Sequence, residues 1–272
     1  MKVRSIVAFS LLPFVILIAL LAPKIVTVIC LGLMSAIAAR ELLKTTKLVR
    51  HPRMLIYTMV TAFLVAIWCY LGCSAVLAAT LALVLFVMLF MEVMLSNMKI
   101  SYTRISLCLT SGLVIPYMLC AIVRILMLPQ GRSFVLLPFA VAFVSDAFAY
   151  LTGMKFGKHK LSPVISPNKT IEGFVGGLLA TVLSMVIYGL VLQFACGFKV
   201  NYFYAVLYAM IGSAACTFGD LCFSVIKRQT NIKDYGNLIP GHGGIIDRFD
   251  SMIVVAPLVE LLLYLIPIAV KV

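Results

Sequence analysis

The sequence predicts an all-α polytopic integral membrane protein that crosses the bilayer about nine times. Three observations predict it. Hydrophobic residues make up 64% of the 272-residue chain and charged residues 11%, with a mean hydropathy of +1.16; soluble chains carry about 25% charge. The apolar runs are continuous, whereas a transmembrane barrel would show short alternating segments, so helices are the remaining way to satisfy the backbone in lipid. The charges between the runs are strongly asymmetric.

Taken in order, the expected spans are 6–22, 25–39, 55–71, 73–91, 105–127, 134–152, 171–195, 202–223 and 251–270. Most approach the ~20 residues needed to cross ~30 Å of hydrocarbon; the second is the shortest. Lys2 and Arg4 before an apolar run would also suit a signal peptide, but with so many spans following an uncleaved first span is expected. Of the 22 Lys and Arg, 17 fall on the side of Lys2 and Arg4 and five on the other. The positive-inside rule therefore puts the N-terminus and the loops 40–54, 153–170 and 224–250 in the cytoplasm and the C-terminus outside. The net charge of +13 is then largely a topology signal that also favours anionic lipid. With no basic, aromatic-interleaved soluble domain, a nucleic-acid partner is not expected. The basic loop 40–54 reads as a topology signal or a short interfacial helix. The expected organisation is 1–100, the first four helices with that loop, and 101–272, helices five to nine with the two later loops. The eight cysteines contain no C-x2-C pair and read as packing residues.

Four of the nine acidic residues, Asp220, Asp234, Asp247 and Asp250, fall between Phe218 and Ser251, together with Lys227, Arg228, Lys233, Arg248, His242 and a set of glycines. Asp146 and Asp220 close the sixth and eighth spans. A charged Asp within a span costs about 2.5–3.5 kcal/mol even on an insertion scale, so pairing, metal binding or a wet cavity is expected; interfacial capping is the bland alternative for Asp146. Asp220, Ser224 and Lys227 share a face if the eighth helix continues, and Asp247 and Asp250 share one at the start of the ninth. Asp250 before Ser251 also suits an N-cap. In the loop 153–170, Ser162-Pro163 and Ser166-Pro167-Asn168-Lys169-Thr170 precede Glu172-Gly173. Helix capping by Thr170 and Glu172, and a phosphate site at a helix N-terminus, both fit that pattern. Carboxylates without clustered Cys or His suit Mg²⁺ held by one or two acids plus substrate phosphates. The glycines beside His242, Gly243 and Gly244, let backbone N–H groups approach an anion. Together these residues read as phosphoryl or nucleotidyl transfer, with the active site at the cytoplasmic face.

The run Ser224-x-Ile-Lys227-Arg228-x4-Lys233-Asp234-x-Gly236-x2-Ile-Pro240-x-His242-Gly243-Gly244-Ile-x-Asp247-Arg248-Phe-Asp250 resembles the full signature of the phosphatidate cytidylyltransferase (CDP-diglyceride synthase) family. Asp146-x2-Ala149-Tyr150, Gly157 and 162–173 extend the resemblance, which spans about 140–255 and is one of hydropathy only before that. Glu260 departs from the usual apolar run. The resemblance implies a transferase of phospholipid biosynthesis that converts CTP and phosphatidate to CDP-diacylglycerol and pyrophosphate. It implies a homodimer in the cell membrane among lipid, with Mg²⁺ on Asp220 and Asp247 and room for a second cation such as K⁺. The expected catalytic set is Asp220, Asp247, Lys227, Arg228, Arg248 and Asp250. The expected substrate-binding set is Asp146, Ser166, Asn168, Lys169, Glu172, Ser224, Lys233, Asp234, His242, Gly243 and Gly244. The alternatives are a related CTP-using enzyme acting on another lipid, such as a polyprenol kinase or ether-lipid cytidylyltransferase, and, further off, a secondary transporter. A purely structural scaffold would need none of these carboxylates.

Overall fold

The computed structural model describes residues 18, 20–97, 99–236, 238 and 243–271. It is mostly helical. The elements in chain order are α1 (Lys24–Thr45), α2 (Pro52–Tyr70), α3 (Ala75–Leu95), α4 (Tyr102–Leu109), a π-helical turn (Thr110–Val114), α5 (Ile115–Leu119), α6 (Ala121–Met127), α7 (Gly131–Phe134), α8 (Leu137–Phe156), β1 (Lys160–Ser162), β2 (Ser166–Thr170), α9 (Ile171–Cys196), β3 (Phe198–Val200), α10 (Tyr202–Gln229), α11 (Ile246–Leu265) and β4 (Ala269–Lys271). Among the described residues, seven helical stretches are long and apolar enough to cross a membrane. The expected first span, 6–22, lies outside the described residues except for Ile18 and 20–22. The expected ninth corresponds to α11, 20 residues long; it carries Asp247, Arg248, Asp250 and Glu260 and is not one of the seven.

The chain packs as two compact units, Met1–Pro129 with Thr230–Phe249, and Gln130–Gln229 with Asp250–Val272. In the first, α1 runs 22 residues, well past the expected end at 39. Ala38-Ala39-Arg40-Glu41-Leu42-Leu43-Lys44 are good helix formers, so the start of the basic segment is the end of α1 rather than a separate interfacial helix. The expected fifth span is not one regular helix. Pro116 cannot donate to the carbonyl four residues back, and the chain passes that point through the π turn. There Gly112 lies so close to α2 that a Cβ would be 3.1 Å from Thr58 and from Leu85 side-chain carbons. Arg124, on α6, is buried; it donates to Tyr117 O (2.7 Å) and Cys69 Sγ (3.4 Å) and lies 3.9 Å over the Tyr117 ring.

In the second unit α8 and α9 pack backbone to backbone. A Cβ on Gly177 would lie 2.6 Å from Ser145 O, and one on Gly173 2.7 Å from Ala149 O. This is a small-x3-small contact. Ser145 Oγ meets Ser213 Oγ of α10 at 2.8 Å. The all-α expectation needs one amendment: two small antiparallel two-stranded sheets, the β1–β2 hairpin and the pair β3–β4, whose strands are far apart in sequence. Ser162 and Ser166 each precede a proline, which pushes them extended, and both lie in the hairpin. Thr170 then caps α9 as expected, accepting from Gly173 N at 3.1 Å. Thr170→Ala is expected to cost about 1 kcal/mol, read as a fall of about 2–4 °C in melting temperature.

Candidate active site

Polar residues of the second unit collect around the middle of α8, the last third of α10, the start of α11 and the β1–β2 hairpin. Asp146 and Asp220, expected to close their spans, lie inside helices that run on to Phe156 and Gln229. Asp146 on α8 accepts from Cys216 Sγ (3.2 Å) through Oδ1 and from Ser251 Oγ (3.0 Å) through Oδ2. The burial of this acid is thereby matched by donors on two other helices, and Cys216 does more than pack. Gly219 brings α10 onto α11: a Cβ there would be 3.0 Å from Asp250 O. The next residue, Asp220, is paired with Lys169 of β2, Nζ to Oδ2 2.5 Å. Asp250 is 7% exposed, accepts from Ser251 N at 2.8 Å, and feels the charges of Asp220, Asp146 and Lys227. It lies inside α11 rather than capping it, because the helix begins at Ile246, not near 251 as expected.

The eighth helix does continue to Gln229, so Asp220, Ser224 and Lys227 stack on one face of α10. Arg228, one residue on, donates from Nε to Ile165 O (3.1 Å) in the turn of the hairpin. Lys169 and Arg228 therefore tie the hairpin to α10 at two points. Glu172 grips the chain leading into the hairpin: its carboxylate accepts from Lys158 N (3.1 Å) and His159 N (3.2 Å) and lies 2.6 Å from His159 Nδ1. Ser166 is half-buried and Asn168 exposed on β2.

The first unit holds the other group. Asp247, in the first turn of α11, accepts from Tyr235 N (2.8 Å) and Gly244 N (2.9 Å) through Oδ2. The N–H of Gly244, expected to face an anion, faces this carboxylate. Gly243 has φ +83°, a conformation that favours glycine. Lys233, Asp234 and Arg248 are exposed, and His242 lies outside the described residues. A residue not anticipated from the sequence joins them. Glu41 of α1, 6% exposed, accepts from Ile246 N at 3.1 Å through Oε2. Its signal was available: one of only nine acids, placed at the end of an apolar run.

Among the described residues no group of three or more His, Cys, Asp or Glu is arranged to hold a metal ion. The donors present are carboxylates set beside lysine and arginine. That set fits Mg²⁺, which takes one or two protein acids and completes its shell with water and phosphate oxygens.

By its fold the chain is of the class of helical proteins with several stretches long and apolar enough to cross a membrane. The chain belongs to the cytidylyltransferase family, whose model matches residues 2–266. It is similar to proteins named phosphatidate cytidylyltransferase: that of Staphylococcus haemolyticus strain JCSC1435 is 45% identical over 134 residues, 49% of this chain and 50% of the relative. Those of Staphylococcus epidermidis strain ATCC 12228 and Staphylococcus aureus strain COL are 44% identical over 134 residues, with the same coverage. The chain thus spans about half the length of the curated relatives it matches.

Proposed function

We propose that this chain catalyses CTP + phosphatidate → CDP-diacylglycerol + pyrophosphate. The observation that carries the reading is the signature from Ser224 to Asp250, set in a member of the cytidylyltransferase family whose relatives bear that activity in their names. A phosphate oxygen of phosphatidate attacks the α-phosphorus of CTP; the new P–O bond forms as the bond to the β-phosphate breaks, and pyrophosphate leaves. The nucleophile arrives as an anion, so no strong base is needed, and the barrier is the meeting of negative charges. Asp220 and Asp247 are the residues proposed to hold Mg²⁺, which when bound supplies charge neutralisation at the phosphates and the leaving group.

The remaining roles belong to the chain itself. Lys169 and Lys227 supply positive charge for the polyphosphate, with Arg248 and Lys233 alongside. Asp146 and Asp250 set the local field in which these cations work. Glu172 serves by holding the entry to the hairpin, and Arg228 by holding its turn, so that Ser166 and Asn168 are presented on a fixed strand. The loops are assigned to the cytoplasm, where CTP is found, and the protein to the cell membrane as a homodimer; the charge asymmetry of the sequence supports the orientation.

The test is transfer of label from CTP to phosphatidate by the purified protein in detergent. Label in the lipid phase, lost when EDTA removes divalent cations and restored by Mg²⁺, is the expected result. No transfer to phosphatidate, with transfer to a polyprenol or an ether lipid, would move the assignment to the corresponding family member.

A further inference from the structure

We infer that Glu41 is a positioning residue for Asp247: its buried carboxylate on α1 holds the glycine-rich loop and the first turn of α11 in the shape that presents the aspartate. The inference rests on the reading above, in which Asp247 serves cytidylyl transfer. Three observations within the first unit carry it. Glu41 Oε2 accepts from Ile246 N at 3.1 Å. This is one of the N–H groups that the start of α11 leaves without a partner in the helix, where a negative acceptor is favoured by the helix dipole.

The loop is also shaped around the acid. A Cβ on Gly236 would lie 2.5 Å from Glu41 Oε1, and one on Gly244 would overlap the same carboxylate. A side chain at either position would displace the Glu41 carboxylate. Finally, Gly244 is held from two directions, its N–H on Asp247 Oδ2 and its Cα side against Glu41. Moving Glu41 therefore moves the residue that orients Asp247, although Glu41 itself need touch no substrate.

Full-length wild type, Glu41→Gln and Glu41→Ala are compared for melting temperature, turnover, and the Mg²⁺ concentration giving half-maximal activity. Glu41→Ala is expected to raise that concentration about 10- to 100-fold, the range for loss of a group that orients a metal ligand. Glu41→Gln keeps an acceptor oxygen and is expected to recover most of the loss. A structural role alone would lower the melting temperature and leave the Mg²⁺ dependence unchanged; that result overturns the inference. Should Glu41→Ala not fold, Gly244→Ala takes its place, with the same raised Mg²⁺ requirement expected and an unchanged one fatal. Amide hydrogen exchange separates this inference from the reading beneath it. If wild type transfers no cytidylyl group, that reading fails. The clamp then still stands or falls on whether Tyr235, Gly244 and Ile246 amides exchange faster in Glu41→Ala.

Discussion

Replacing Asp247 by asparagine is expected to lower cytidylyl transfer about a thousand-fold while leaving the protein folded. Asparagine keeps the size of the side chain and an oxygen that can accept from Tyr235 N and Gly244 N, as Asp247 does. The loop shape should therefore survive. What is lost is the negative charge. Charge stabilisation by a bound metal is worth several kcal/mol, and about 4 kcal/mol corresponds to three decades in rate. The check is turnover of labelled CTP alongside a melting curve: a normal melt with turnover near background fits the assignment, and normal turnover removes Asp247 from the metal.

The largest effect on folding is expected from Gly177→Leu. The Cβ alone would lie 2.6 Å from Ser145 O and 3.1 Å from Ala149 Cβ. The first is a backbone atom of α8, so no side chain can turn aside to make room. Overpacking typically costs about 1–3 kcal/mol, and leucine adds bulk beyond Cβ. The displacement would fall on α8 next to Asp146, whose partners Cys216 and Ser251 sit on other helices. Gly177→Leu should therefore lose most folded protein on size-exclusion in detergent, whereas Leu179→Ala, on an exposed position, should not. A normal elution profile for Gly177→Leu would contradict the close approach of α8 and α9.

Hydropathy located the spans because burial in lipid demands apolar sequence, but it marks where lipid stops rather than where a helix stops. Hydropathy therefore sets the ends of α1 and α10 short: Arg40–Thr45 and Ser224–Gln229 mix charged and polar residues with two apolar ones each, and they remain helical. The same bias placed the start of α11 too late, and Asp250 looked like a cap. The start of α9 was legible because capping is local, with Thr170 and Gly173 three residues apart. The two-stranded sheets were not, since strands of three to five residues leave no periodic signal. The chemistry of the site was legible in residue types and spacing. Its supports were not: Glu41 and Ile246 are 205 positions apart, and Asp146 lies 70 positions from Cys216 and 105 from Ser251. No local pattern announces partners at such separations.

The pairing of Lys169 with Asp220 has a practical side. In a zinc finger the metal is the counter-ion of its ligands, so a chelator unfolds the protein. Asp220 already has an ammonium group of its own chain at 2.5 Å, and the carboxylates of Asp247 and Glu41 rest on backbone N–H groups. None of these acids depends on an ion from solution to be tolerated where it stands. Purification in the presence of EDTA is therefore expected to leave the fold intact, so that the proposed transfer can be assayed on a stripped preparation before and after divalent cations are added back.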